Sequence, residues 1–207
     1  LPPRLEPRYY VRKSDDKLLD VAFMRFNGDY DWRVWQSTAG HSTLATRTEQ
    51  GEEKNKVCRI AYEMLGVREG RRPEHLVAHT DLILRGRPLR VSARFKGDGR
   101  GLKVAFLFVD ARGEVFQAPE ERAITWEGWK RISLTADNFP EGWHHWSGDG
   151  KPDYPLLGFG ITLTAPDTTF RGRGILEMDD VLILSEVPKP AATSRTRHSS
   201  KSTKPKA

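Results

Sequence analysis

The residue types best suited to bind a ligand are concentrated in one stretch of the chain, residues 143–155. This stretch holds two Trp, one Tyr and two His among Gly, Pro and Asp, in the order WHHWSGDGKPDYP. A segment of this composition does not form a regular strand or helix, so the sequence predicts a long loop here. Binding residues tend to lie on loops that a rigid scaffold positions. We call residues 143–155 the aromatic loop.

The aromatic loop supplies the two kinds of group that a sugar needs. A sugar ring presents an apolar face of C–H groups, on which an aromatic ring stacks, and an equatorial fringe of hydroxyls, which polar side chains bond. The predicted stacking residues are Trp143, Trp146 and Tyr154, and the predicted polar partners are His144, Asp149 and Asp153. The alternative for each Trp is that it folds back as a plug over one end of the domain. We expect at least one of them to be exposed.

Two further Trp residues are predicted ligand contacts. Trp126 precedes the turn Glu127-Gly128, and Trp35 follows Arg33-Val34 on the face opposite to Trp32. Trp129 differs, because it begins an alternating strand and is expected to pack in the core or at a sheet edge.

The sequence lacks the local motifs of the common hydrolases. Glu177-Met178-Asp179-Asp180-Val181-Leu182 begins like the two-glutamate strand of laminarinase-type enzymes, but Leu182 stands where the second Glu is needed as proton donor. No nucleophile elbow, phosphate loop or His-Glu-x-x-His helix is found. A polysaccharide lyase needs no local motif and stays open as an alternative. Its candidate residues would be His41, His75, His79, His144 and Tyr154.

The rest of residues 17–187 is predicted to form short strands. Leu89 to Lys96 alternates strictly between apolar and polar residues, which puts Leu89, Val91, Ala93 and Phe95 on one face of a half-buried strand. Other predicted strands are Leu18–Phe26, Arg33–Ser37, Val57–Met64, Leu76–Leu84, Leu102–Val109, Trp129–Leu134, Gly158–Thr164 and Gly174–Leu184. Gly, Asp and Pro turns separate them, and no segment has a convincing helical stripe. The pattern predicts an all-β fold, a two-sheet antiparallel β-sandwich of the jelly-roll kind.

Composition divides the chain into three parts. Residues 1–16 are expected to be an N-terminal lead segment or linker, residues 17–187 the β-sandwich domain, and residues 188–207 a disordered basic tail without large apolar residues. The tail holds six of the 34 Lys and Arg and no acid, so the other 28 balance the 28 Asp and Glu of residues 1–187. A neutral domain argues against specific nucleic-acid binding. The lone Cys58 lies in an apolar run and is expected to be buried and inert.

Several motifs in order resemble the galactose-binding-like jelly rolls, the scaffold of many carbohydrate-binding modules. Phe26-Asn27-Gly28-Asp29-Tyr30-Asp31-Trp32 is similar to their opening segment, with Asn27 in place of the usual Glu, and Gly128-Trp129-Lys130-Arg131-Ile132 to their Gly-Trp-Lys strand. Val57–Tyr62 resembles an early strand ending in Tyr, and Gly174 to Val181 resembles the closing strand with its Asp-Asp-Val. The complex I intermediate-associated protein family shares these features. The resemblance implies that Trp32 belongs to the core.

The resemblance also implies a structural calcium ion. In such modules the first and last strands lie close together, and calcium often bridges them through oxygen ligands. The residues carried over to this chain are Asn27, Asp29, Asp179 and Asp180. Turn formation or solvation is the alternative for each of these residues. No organic cofactor is expected.

Together these features predict a non-catalytic carbohydrate-binding module, an accessory domain that recognises a polysaccharide or oligosaccharide through the aromatic loop. We expect a monomer, without a transmembrane segment, located outside the cell or in the periplasm. One alternative is a protein-interaction or assembly domain, in which the aromatic loop contacts a protein. The other is a jelly-roll polysaccharide lyase or hydrolase.

Overall fold

A computed structural model describes the backbone of residues 8–14, 17–24, 32–36, 43–47, 57–67 and 70–186, and the side chains of residues 19–24, 32–33, 57–67 and 70–186. These residues form fourteen strands and no helix. The strands are β1 (Arg8–Ser14), β2 (Lys17–Met24), β3 (Trp32–Gln36), β4 (Thr43–Arg47), β5 (Val57–Met64), β6 (His75–Leu84), β7 (Arg87–Asp98), β8 (Leu102–Val109), β9 (Val115–Gln117), β10 (Arg122–Ile124), β11 (Glu127–Thr135), β12 (His144–His145), β13 (Leu156–Thr164) and β14 (Gly172–Glu186).

The longest strand, β14, organises the first sheet, which we call sheet A. One side of β14 pairs with β7. Its other side pairs with β5 through residues 172–178 and with β2 through residues 181–186. Strands β1, β4 and β11 extend the sheet beside β2, β5 and β7. Where the partner changes from β5 to β2 the register shifts, and Asp180 there has a left-handed φ of 49°.

The second sheet, sheet B, has the strand order β12-β9-β8-β13-β6-β3, and β10 also pairs with β8. Every pairing in both sheets is antiparallel. The all-β prediction is confirmed: the fold is a two-sheet antiparallel jelly-roll sandwich.

The core lies between the two sheets and follows from the period-2 pattern of the strands. In β5 every second residue is buried. In β7, Val91, Ala93 and Phe95 are buried as predicted, whereas Leu89 is half-buried and Ser92 of the opposite face is buried as well. Phe95 of sheet A meets Phe106 of sheet B at a ring-centroid distance of 6.1 Å. The inward faces of both sheets thus share one hydrophobic core.

Two expectations about single residues are confirmed by burial. Trp32 is buried in the core. Cys58 is buried on β5, and this burial raises the pKa of its thiol far above the ordinary value, so the thiol is inert at neutral pH.

The structure describes residues on both sides of the predicted N-terminal boundary of the domain. Residues 8–14, which we expected in a lead segment or linker, form β1 and pair with β2 over seven positions. The sheet therefore begins before residue 17, because β1 runs antiparallel beside β2 from the Arg8–Phe23 pair to the Ser14–Lys17 pair. The tail at 188–207 lies outside the described residues, and its disorder stays a prediction. Within the described part of the chain, no helix is long and apolar enough to cross a membrane.

Candidate functional site

An open groove of about 550 Å³ lies on the outer face of sheet B. It is lined by Arg72, Pro73, His75, Lys103, Gln117, Glu121, His145, Trp146, Thr162 and Thr164. We call it the sheet B groove. The strands contribute residues to it in cross-strand rows: His75, Thr164 and Lys103 are successive partners on β6, β13 and β8. The groove is therefore built on a rigid sheet, with the aromatic loop at one side.

The outward-facing residues of the central strand β13 are all small. Phe159, Ile161 and Leu163 of β13 point into the core, so the alternate residues Gly158, Gly160, Thr162 and Thr164 point outwards. A Cβ atom on Gly160 would lie 2.8 Å from the Cβ of His79, and one on Gly158 would lie 2.9 Å from the Cβ of Val109. The neighbouring strands β6 and β8 thus lie so close to these glycines that no larger residue fits there.

Thr162 carries an unsatisfied polar atom at the floor of the groove. The residue is only 1% exposed, and its Oγ1 has no hydrogen-bond partner among the described residues. Burying an unpaired hydroxyl costs about 1–3 kcal/mol. Its cross-strand neighbours are Ala105 and Val77, which cannot bond through their side chains.

Trp146 is the aromatic residue at this groove. It is 42% exposed, and its backbone N–H donates to the carbonyl of Val115 at 3.1 Å. This bond continues the β12–β9 ladder, in which His145 pairs with Phe116. The ladder therefore fixes the backbone from which the exposed indole reaches the groove.

Buried carboxylates hold the rest of the aromatic loop. Asp110 accepts hydrogen bonds from the backbone N–H groups of Arg112, Glu114 and Asp153 at 2.8–3.0 Å. Glu114 accepts the N–H of Gly150 at 2.9 Å. Both acids are buried. These hydrogen bonds join residues 110–114 to residues 150–153 at one edge of sheet B.

Trp143 is in the core, not at the surface. It is 6% exposed, and its ring lies 5.0 Å from that of Phe139 and 5.7 Å from that of Phe108. Its N–H donates to no described group. The plug alternative describes this residue, because its indole is buried against core aromatic rings.

The other predicted residues of the aromatic loop do not line the groove. His144 is exposed and pairs with Gln117, while its neighbour His145 is the groove residue. Tyr154 is 39% exposed, and partial burial raises the pKa of its phenol although the charge of Arg87 opposes this. Asp149 caps the N–H of Lys151 at 2.9 Å, and Asp153 lies 3.0 Å from Arg112 Nε.

The remaining Trp residues lie apart from the groove or outside the described side chains. Trp126 is half-buried against the core. Its Nε1 lies 3.5 Å from the carbonyl oxygen of Phe95, and the Lys130 ammonium lies over its ring. Trp129 is half-buried on sheet A, with the Arg94 guanidinium 5.1 Å from its ring centroid. Trp35 pairs with Val77 through its backbone; its side chain is not described, and its role stays a prediction.

The predicted calcium residues are only half described. Asn27 and Asp29 lie outside the described residues. Asp179 and Asp180 lie on β14 beside β7, and the Asp180 carboxylate is 3.5 Å from Arg94 and 3.6 Å from Arg131. These two positive charges disfavour a cation at Asp180. Within the described part of the chain no three His, Cys, Asp or Glu are grouped as a metal site. Calcium therefore stays a prediction.

Most of the groove was missed by reasoning from sequence, although part of it had a signal. The sequence predicted β13 as Gly158–Thr164, and strict alternation with Phe159, Ile161 and Leu163 would have placed Thr162 and Thr164 on the outer face. Lys103 alternates with the core residues Leu102 and Val104 in the same way. Arg72, Gln117 and Glu121 had no such signal, because only the strand order brings them to this face.

Comparison with known structures shows the same fold in two solved proteins. The Family 11 carbohydrate-binding module of the cellulosomal cellulase Lic26A-Cel5E of Clostridium thermocellum superposes with a TM-score of 0.53 at 10% identity, covering 80% of this chain and 94% of the module. The fold is the jelly roll of carbohydrate-binding modules. A Family 11 module from the same organism, solved in complex with a β-1,3-1,4-mixed-linked tetrasaccharide, also has a TM-score of 0.53 at 10% identity, covering 82% of this chain and 98% of that one.

No protein-family model matches the sequence, and no curated protein matches it either. At 10% identity the two jelly rolls establish the architecture of this chain and leave its ligand to be argued from its own residues. The resemblance to the complex I intermediate-associated family remains a prediction.

Proposed function

We propose that this chain is a non-catalytic carbohydrate-binding module and that the sheet B groove holds its glycan. One observation carries the proposal: an exposed indole, Trp146, stands at an open groove that is also lined by the polar side chains of Gln117, His75 and Thr164. An indole stacks on the apolar face of a sugar, and polar side chains bond its fringe of hydroxyls. The jelly-roll fold, shared with a module solved on a tetrasaccharide, agrees with this proposal.

The polar side chains of the groove stand on strands of sheet B. Gln117, His75 and Thr164 point from neighbouring strands into the same space. A sugar hydroxyl both donates and accepts, so it can bond an amide, an imidazole or another hydroxyl. Because these residues stand on strands and not on loops, the sites for successive hydroxyls are preorganised and little entropy is lost on binding.

Binding without hydrolysis is the version that we propose. Glycoside hydrolysis generally needs two carboxyl groups flanking the bond. Among the described residues that line the groove, Glu121 is the single carboxylate, and it accepts a hydrogen bond from Thr164 Oγ1 at 3.0 Å. We further propose that the module works as an accessory domain, as a monomer, outside the cell or in the periplasm.

A polysaccharide lyase is the second candidate, and a specific observation favours it over a hydrolase. His75 and His145 line the groove together with Lys103 and Arg72. A lyase needs a base and a positive group and no carboxyl pair. Release of unsaturated sugars by the purified chain would support this alternative and contradict the binding-only proposal.

A protein-interaction or assembly domain is the remaining alternative. In that case the exposed indole of Trp146 would contact a protein. Capture of one stoichiometric protein through Trp146, together with no retardation by any glycan, would favour it.

The test of the proposal is affinity electrophoresis through neutral and acidic polysaccharides, followed by calorimetry on the best ligand. Trp146→Ala should weaken binding by about 1–3 kcal/mol, borrowing the magnitude found for aromatic stacking on nucleic-acid bases. Trp129→Ala is the matched control, because that half-buried Trp lies on sheet A. Equal losses of affinity in both variants, or no retardation of the wild type by any polysaccharide, would contradict the proposal.

A further inference from the structure

Two cationic side chains line the sheet B groove without an ion pair among the described residues. Lys103 is half-buried on β8, and Arg72 is exposed just before β6. Glu121, the described carboxylate of the groove, bonds Thr164 Oγ1 and is not within ion-pair distance of either. The groove thus carries two positive charges against one negative charge, before any contribution from His75 or His145.

We propose that the groove is built for an anionic glycan, one whose sugars carry a carboxylate or a sulfate ester next to Lys103 and Arg72. This inference rests on the proposed function and names the class of ligand. Lys103, Thr164 and His75 form one cross-strand row at the end of the groove. Paired residues of such a row have Cβ atoms about 4.5–5.5 Å apart, roughly the size of one sugar ring.

The physical reason is the cost of covering a charge. A ligand seated over the row would remove water from the half-buried ammonium of Lys103. With a neutral sugar that ammonium would keep only hydroxyl partners, and a desolvated charge without a counter-charge is costly. An acidic group on the sugar removes that cost and adds charge-assisted hydrogen bonds, which Arg72 can make in a bidentate manner.

A nearby carboxylate, that of Asp167, is bonded within its own loop to Thr169. Hydrogen bonds from the hydroxyl and N–H of Thr169 hold the pKa of Asp167 below its ordinary value, and the charge of Lys103 adds a smaller effect. Asp167 is exposed and bonds Thr169 at 2.7 and 2.8 Å. It forms no ion pair with Lys103, so it leaves the ammonium available to a ligand.

The experiment compares acidic oligosaccharides with their own neutralised forms. Calorimetry on the full chain would use oligogalacturonate and oligoalginate beside their carboxyl-reduced products, and a carrageenan oligosaccharide beside its desulfated product. The acidic member of at least one pair should bind about tenfold tighter or more, since charge-assisted bonds are stronger than neutral ones. Comparison of the two carboxylate pairs with the sulfate pair shows which acidic group the groove recognises.

Lys103→Gln should reduce this preference several-fold, because it should weaken binding of the acidic form more than binding of the neutralised form, and Arg72→Gln should act in the same direction. Arg90→Gln is the matched control: Arg90 is exposed on sheet A, so its removal lowers the net charge of +6 equally. If Arg90→Gln reduces the preference as much as Lys103→Gln, the attraction is nonspecific and the inference is overturned.

The outcomes separate the two proposals. Equal binding of acidic and neutralised members, with both lost in Trp146→Ala, would overturn the anionic inference and leave the groove a glycan site. Absence of binding to every acidic and neutral glycan would overturn both.

Discussion

The Nδ1 of His145 lies 3.3 Å from the Oε1 of Glu114, so a groove-lining imidazole rests against a carboxylate that the fold buries. The same oxygen accepts the N–H of Gly150. A Cβ on Gly148 would collide with the Glu114 carboxylate, so the loop backbone is packed directly against this group. Glu114 therefore joins the groove to residues 148–150.

Replacement of Glu114 by Gln should destabilise the protein by about 1–3 kcal/mol, because a neutral amide accepts more weakly than a carboxylate from the N–H of Gly150 and puts a buried NH2 group in place of the second oxygen. Urea unfolding measures this. Glu120→Gln is the control: that exposed acid pairs only with exposed Arg122, so its loss should cost under about 0.5 kcal/mol. Equal effects in the two variants would show that Glu114 has no special role.

Trp143→Ala should cost about 3–5 kcal/mol of folding free energy, since it empties a site between Phe139 and Phe108 in the core. Trp146→Ala should change stability by less than about 1 kcal/mol because the indole is 42% exposed. Chemical denaturation of both variants checks this. A larger loss of unfolding free energy in Trp146→Ala than in Trp143→Ala would contradict this assignment of a buried and an exposed ring.

Thr162→Val should raise stability slightly, or leave it unchanged, without affecting binding. Valine matches threonine in shape and removes the buried Oγ1 that lacks a partner, so the free protein should be unchanged or up to about 1 kcal/mol more stable. Glycan affinity should stay the same, since Thr162 is only 1% exposed. Thermal unfolding and calorimetry give the two values.

Thr164→Val is the contrast for that experiment. Its hydroxyl bonds Glu121 at 3.0 Å, so this variant should lose stability by about 0.5–1.5 kcal/mol. A Thr162→Val protein that is as destabilised as Thr164→Val would show that Thr162 already has a partner inside the fold.

Acid should destabilise the protein in part through His79. Burial, helped by the charge of Arg33 and opposed by Asp81, lowers the pKa of His79 in the folded state. A lowered pKa means that the fold prefers the neutral ring. The stability from His79 is thus complete above the unfolded-state pKa of about 6.5 and is lost as pH falls from there towards the folded-state pKa.

Unfolding free energies measured from pH 8 down to pH 5 should therefore fall less steeply in His79→Gln than in the wild type, since the variant lacks this proton uptake. His144→Gln is the control, because His144 is exposed on β12. An unchanged slope in His79→Gln would assign the acid sensitivity to other groups.

Reasoning from the sequence found the sheets more readily than the site. Val57–Met64 coincides with β5 because one face is buried and the pattern is local. The strands β4, β10 and β12 were not predicted, since each is short and is defined by its partner rather than by its own pattern.

The aromatic loop shows why the site was harder to predict. Trp143 and Trp146 flank the same two His residues and have the same composition around them. Trp146 is kept outside by a bond to Val115, about thirty positions away in the chain, whereas Trp143 fits among Phe108 and Phe139. Only the strand order decides between them, and sequence periodicity does not contain that information.

The position of β14 has a consequence for how the molecule folds. Because β2, β5 and β7 all hydrogen-bond to this one strand, none of them has its full set of partners in sheet A until the segment that ends at Glu186 has been synthesised. Asp20 and Ser185, which pair across β2 and β14, are 165 positions apart. Closing so long a loop is entropically costly and slow. During synthesis the earlier strands leave the ribosome with unpaired edges, and it is in that interval that the chain is most exposed to aggregation.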